Sequence, residues 1–131
     1  MTTILYVEDG DDNMFMLHRR LTRAGFEVAI ARDGEQGVAM AIADRPDLIV
    51  MDINLPILNG LEATRRLKAN PDTRAIPVIA LTAHATPKDR ERALAVGCDE
   101  FEAKPVNFTG LVEKINALLG GRPDVSRPGS A

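Results

Sequence analysis

Apolar residues along this chain fall into two kinds of run that alternate from end to end. Ile4, Leu5, Tyr6 and Val7 form a short unbroken run that stops at a pair of acids, and Leu48, Ile49, Val50 and Met51 form another that stops at Asp52. Continuous apolar runs of this length suit strands buried on both faces. Residues 27–31 and 77–81 predict two more strands, and residues 99–103 a shorter, less apolar one. Between these lie longer segments with helical spacing. Met14, Leu17 and Leu21 share a face in 14–24, which Gly25 closes. Asp33-Gly34 opens a helix through Ala43, and Leu61, Thr64 and Leu67 mark one over 60–69, ended by Asn70-Pro71. Thr86 reads as a cap with Pro87 as first helical residue, in a helix ending near Gly97. Leu111, Ile115, Leu118 and Leu119 define the last helix, over 108–119. Five βα units in succession predict an α/β domain whose five-stranded parallel sheet is covered on both faces.

Beyond the last periodic residue the chain becomes rich in Gly, Pro and Ser without a repeat. The expected division is therefore one folded domain over 1–120 and a flexible tail over 121–131. A length of 131 residues suits one domain with a core of its own. With 45% hydrophobic and 27% charged residues, disorder of the whole chain is not expected. Lysine and arginine total 16 against 19 acids, a net charge of −3, so nothing supplies the basic face that nucleic acid needs. One cysteine excludes an internal disulfide and fits a reducing cytoplasm, the expected location. The first residues lack the basic and apolar segments of a signal peptide, and no apolar run is long enough to span a bilayer.

In an open parallel sheet, sites form at the carboxyl ends of the strands. Those positions hold Glu8-Asp9, Asp52, Thr82-Ala83 and Lys104-Pro105. Three carboxylates crowded together raise each other's pKa, and a hard divalent cation removes the conflict. Magnesium prefers oxygen ligands and typically binds through one or two carboxylates plus a phosphate. Asp52 is then able to act as a nucleophile toward phosphorus, with the metal, the Lys104 ammonium and the Thr82 hydroxyl placed to stabilise the phosphoryl oxygens.

Taken jointly, Glu8-Asp9, the run 48–56 ending Asp52-Ile53-Asn54-Leu55-Pro56, Gly60, Thr82-Ala83 and Lys104-Pro105 resemble the receiver domain of two-component response regulators. The pattern looks most like the small single-domain regulators of cell-cycle phosphorelays and the receivers of hybrid histidine kinases. It covers nearly all of the folded part, and it is specific as a set although each dipeptide alone is weak. The resemblance implies a flavodoxin-like (βα)5 three-layer sandwich with strand order 2-1-3-4-5. It implies that Asp52 accepts a phosphoryl group from a histidine kinase or a histidine phosphotransfer protein. Asp9 and Asp52 would bind Mg2+ directly, Glu8 through a water, and the Asn54 backbone carbonyl would be a further ligand. Thr82 would turn its hydroxyl to the phosphoryl group and Lys104 would pair with it. Phe101, three residues before the lysine, holds the place of the switch aromatic, whose inward swing would alter the face made by the fourth helix, fifth strand and fifth helix for a downstream protein. The Lys104-Pro105 bond is expected to be cis. With no DNA-binding segment after the last helix, output is expected through protein contacts or onward phosphotransfer.

Gly10 stands where close relatives commonly carry a polar residue, which would loosen the loop beside the metal, and Asp11 and Asp12 add negative charge there. His84 and Asn54 occupy positions that tune phosphate loss in the family. Singly, each of these residues has a bland reading: Asp52 as a turn cap, Lys104 as a surface charge, Phe101 as packing, Cys98 as a small core filler. Their coincidence at four strand ends is what carries the functional reading. Three alternatives remain on the residues themselves. A dehalogenase-type phosphatase needs a second Asp two residues after the nucleophile, and that position is Asn54. A flavin binder needs a Gly/Ser/Thr-rich loop after the first strand, where this chain has Glu8, Asp9, Asp11 and Asp12. A degenerate receiver serving only for docking would not need the intact acid set.

Overall fold

The computed structural model describes residues 2–55, 57–83 and 86–120. His84, Pro56 and the tail over 121–131 lie outside the described residues. The elements alternate as the apolar runs predict: β1 (Thr3–Val7), α1 (Asp11–Arg23), β2 (Glu27–Ala31), α2 (Gly34–Asp44), β3 (Leu48–Asp52), α3 (Gly60–Ala69), β4 (Val78–Thr82), α4 (Pro87–Ala95), β5 (Glu100–Ala103) and α5 (Phe108–Gly120). All strand pairs are parallel, in the order β2-β1-β3-β4-β5.

The two-residue period of the strands divides the core into two layers. Leu5, Val7, Ile49, Met51, Val78, Ala80 and Phe101 meet Ala41 of α2, Ala63 and Leu67 of α3 and Ala93 of α4 on one face. Ile4, Tyr6, Leu48, Val50, Ile79 and Leu81 meet Leu17 and Leu21 of α1 and Leu111 and Ile115 of α5 on the other. β3 and β4 are buried at every position, whereas β2 at the sheet edge is mostly half-exposed. The result is the three-layer flavodoxin-like sandwich.

Helix ends follow local chemistry. Asp33, Asn59 and Thr86 cap α2, α3 and α4 through side-chain oxygens that accept from the amides of Gln36, Glu62 and Asp89. Gly25 and Gly97 take positive φ just after α1 and α4. Two further glycines are dictated by contact. A Cβ on Gly60 would lie 2.1 Å from the carbonyl oxygen of Asp52, and one on Gly34 would lie 1.8 Å from that of Leu58. Gly60 thus lets α3 begin against the strand end that carries Asp52.

Two of the boundaries that differ from expectation bear on the site. α1 begins at Asp11 rather than Met14, with Gly10 as N-cap and no side-chain capping bond. Asp11 and Asp12 fill the first turn, where acids are favoured by the helix dipole. β4 extends to Thr82, one residue past the apolar run, because its pairing continues to Thr82–Ala103.

Candidate functional site

The parallel register brings the ends of β1, β3, β4 and β5 to one rim. Glu8 follows β1 and is only 1% exposed; its amide donates to the Ala31 carbonyl (3.0 Å). Asp52 closes β3 and is 2% exposed, and Thr82 closes β4 and is 3% exposed. Lys104 directly follows β5, its amide donating to the Thr82 carbonyl at 2.7 Å, and its bond to Pro105 is cis as expected.

Lys104 Nζ donates to Asp52 Oδ2 at 3.1 Å and to Glu8 Oε1 at 3.2 Å, so one ammonium bridges two buried carboxylates. Asp52 Oδ1 accepts from the Asn54 amide at 3.0 Å. Glu8 Oε2 accepts from the Gly10 amide at 3.2 Å, and Glu8 Oε1 accepts in addition from the Tyr6 hydroxyl at 3.0 Å. Asp9 is exposed, yet Glu8, Asp9 and Asp52 each offer an oxygen within 4.8 Å of the others.

These contacts set the charges. Burial pushes the Asp52 carboxyl up to about 6, the neighbouring Glu8 adds to the rise, and Lys104 opposes it. Burial also pushes Glu8 upward, but its interaction with Asp52, the Lys104 charge and the Gly10 amide outweigh it and hold Glu8 below the ordinary carboxylate range. Burial lowers Lys104, and the two carboxylates more than reverse that. The acidic set therefore carries a like-charge conflict that one lysine leaves partly unrelieved at Asp52. An all-oxygen donor set of this spacing fits a magnesium ion, which would relieve it.

Of the residues expected at the site, Glu8, Asp9, Asp52, Thr82 and Lys104 converge at this rim, and Asn54 adjoins it through its backbone amide. Phe101 is buried at 7%, in the same apolar cluster as Ala80, Ala93 and Cys98. Gly10 has an ordinary φ of −84°, and its amide donates to Glu8 Oε2. Asp11 pairs with Arg32 on β2's carboxyl side instead of joining the acid set. Tyr6 is the residue that the apolar pattern hid. A tyrosine two residues before a strand-end acid lies on the same sheet face as that acid, and this was the available signal.

Fold and site define a class: an open parallel α/β domain with an acidic, lysine-bridged cluster at the carboxyl edge of its sheet, suited to a phosphoryl group and a divalent ion. The chain belongs to the response regulator receiver domain family, whose family model matches residues 4–116. It is 39% identical over 118 residues to the polar-differentiation response regulator DivK of Brucella anthropi, covering 90% of this chain and 96% of that one. Among solved structures it is similar to the receiver domain of a Pseudomonas aeruginosa sensor histidine kinase, described with a magnesium ion coordinated in the active-site cleft (TM-score 0.85, 38% identity, 91% of this chain and 98% of that one). It is also similar to the signal receiver domain of a histidine kinase from Syntrophus aciditrophicus (TM-score 0.87, 35% identity, 95% and 94%). The protein is thus a two-component response regulator receiver domain, a signalling domain of a family in which aspartate phosphorylation is typical and whose members work with histidine kinases and downstream targets.

Proposed function

We propose that Asp52 accepts a phosphoryl group from a phosphohistidine on a histidine kinase or phosphotransfer protein. A carboxylate oxygen of Asp52 attacks phosphorus, the P–N bond breaks, and its electron pair returns to the imidazole nitrogen. Lys104 is already within 3.1 Å of Asp52 and moves its ammonium to a phosphoryl oxygen as the acyl phosphate forms. Thr82 supplies its hydroxyl to the same group. Asp9 and Asp52 would hold Mg2+, with the Asn54 carbonyl as a further ligand and Glu8 acting through a water. When bound, the ion supplies positive charge against the phosphoryl oxygens. The observation that carries this reading is the bridge of Lys104 between Asp52 and Glu8 beside a third carboxylate.

The domain serves as a phosphoacceptor rather than turning over a small substrate. Its donor has an apolar landing place on α1, where Met16 is 64% exposed and lines a cleft of about 270 Å³ that reaches Lys104 and Tyr6. Its output surface is the face of α4, β5 and α5, where Phe101 lies beneath and Leu94 is exposed. Output through protein contacts suits a charge of −3, and a cytoplasmic location fits a single cysteine that is a buried free thiol. Residues 1–120 form the working domain in this proposal, with 121–131 an appended tail. Mass spectrometry after incubation with acetyl phosphate tests the core of it. One phosphoryl group should be added to the wild type with Mg2+ and none to Asp52→Ala; addition to both would overturn the assignment.

A further inference from the structure

Tyr6 is a core residue of β1 with a polar end that the proposed phosphoryl transfer does not use. Its ring packs in the layer of Leu17, Leu21, Val50, Leu81 and Leu111, and the residue is 1% exposed. A phenylalanine would fill that space equally. What distinguishes tyrosine is the hydroxyl, and a buried phenol needs a partner. The partner is Glu8 Oε1 at 3.0 Å, two residues along the strand and on the same sheet face.

Glu8 is itself 1% exposed and is held by three donors: Tyr6 on Oε1, the Gly10 amide on Oε2, and Lys104, also on Oε1. Lys104 is shared, at 3.2 Å to Glu8 and 3.1 Å to Asp52. Removing the phenol hydroxyl leaves Oε1 with Lys104 as its donor. The buried carboxylate then draws the ammonium toward itself and away from Asp52, and it loses the bond that fixes its orientation.

We propose that Tyr6 is a positioning residue of the site: its hydroxyl fixes the Glu8 carboxylate toward the ion position shared with Asp9 and Asp52, and keeps Lys104 divided between Glu8 and Asp52. This rests on the magnesium reading given above. It has the form of an outer partner that orients a metal-site carboxylate, whose loss typically costs about tenfold or more in metal affinity.

The test is a four-protein cycle of wild type, Tyr6→Phe, Glu8→Ala and the double variant, with Mg2+ affinity measured by titration calorimetry and a thermal melt recorded without metal. Phenylalanine preserves the core volume, so the melt of Tyr6→Phe remains cooperative. The expected result is a loss of about tenfold in Mg2+ affinity for Tyr6→Phe, and no further loss when Tyr6→Phe is added to Glu8→Ala. Wild-type affinity in Tyr6→Phe would overturn the inference, as would an equal loss with and without Glu8, which would mark a general effect of the core. If the wild type itself takes up no Mg2+, the magnesium reading falls and carries this one with it; that outcome is separate from failure of Tyr6 alone.

Discussion

Lys104 Nζ reaches Asp52 Oδ2 at 3.1 Å although Asp52 ends β3 and Lys104 follows β5, with β4 between them. The contact exists because the parallel register ends β3, β4 and β5 at one level, with Asp52 paired to Leu81 and Thr82 to Ala103, one residue before the lysine. Lys104→Met should therefore leave Asp52 and Glu8 facing one another without their shared cation. Phosphorylation of the variant by acetyl phosphate is expected to slow by about a hundredfold or more, the usual cost of removing one preorganised charge-stabilising donor. Initial rates at saturating Mg2+ measure it; a change under threefold would remove Lys104 from the transfer step.

Asp52 itself is a source of instability in the metal-free domain. Its folded-state pKa of about 6 stands above its ordinary value of 3.8. The folded state thus holds the proton more tightly than the unfolded chain. The stability this confers is fully present below about pH 4 and is lost as pH rises through about 6. Asp52→Asn removes that loss. The variant should be more stable than wild type near neutral pH, by about 3 kcal/mol, with the advantage shrinking toward acid. Added Mg2+ should reverse the ranking, since binding to the folded state stabilises the wild type more. Denaturant melts at several pH values, with and without the ion, decide it.

Gly60 offers a test of how tightly α3 is set against the acceptor strand. An added methyl would meet backbone atoms, Asp52 oxygen at 2.1 Å and Ile53 Cα at 2.8 Å, and backbone cannot swing aside. Gly60→Ala should cost about 3 kcal/mol and also slow phosphorylation, because the atoms displaced belong to the acceptor residue. Gly110, in the first turns of α5, is the control: its added methyl finds nothing nearer than 3.5 Å. Gly110→Ala should be neutral or stabilising by about 0.5 kcal/mol. Equal destabilisation in the two variants would contradict this account.

The fold and most of the site could be read from residues because both rest on short-range patterns. Unbroken apolar runs at 48–51 and 77–81 report strands covered on both faces, and the polar residue that ends each run marks the sheet's functional rim. Less was visible where one residue type serves two physical roles. Asp11 and Asp12 read only as added negative charge beside the metal, yet they are the first turn of α1, and Asp11 is engaged with Arg32. Gly10 looks like a flexible spot, and the pattern does not show its amide on Glu8, which any residue except proline could supply in that conformation. Tyr6 reads as one more apolar position until the bond to Glu8 is located in space. Phe101 could be assigned a place by its distance from Lys104, but whether its ring lies in or out is a property of packing against α4 that no local pattern records.

The same carboxyl sets a pH window for the ion. A metal-ligating carboxylate must be deprotonated, so protons and Mg2+ compete for Asp52. With the free carboxyl at about 6, Mg2+ affinity should be nearly constant above about pH 7 and fall toward tenfold per pH unit below about 6. The sign follows from the raised pKa: a carboxyl held at the ordinary 3.8 would give a flat profile down to about pH 5. Binding at about pH 6 should also release a fraction of a proton, close to one half at the midpoint and vanishing near pH 8. Calorimetry in two buffers of different ionisation enthalpy counts that proton directly. In Asp52→Asn the proton release at pH 6 should disappear along with the acid limb of the affinity profile, because Lys104 and the Gly10 amide, which both remain in the variant, favour the ionised form of Glu8. Proton release that survives in Asp52→Asn would move the titrating group to another carboxylate and with it the origin of the acid sensitivity.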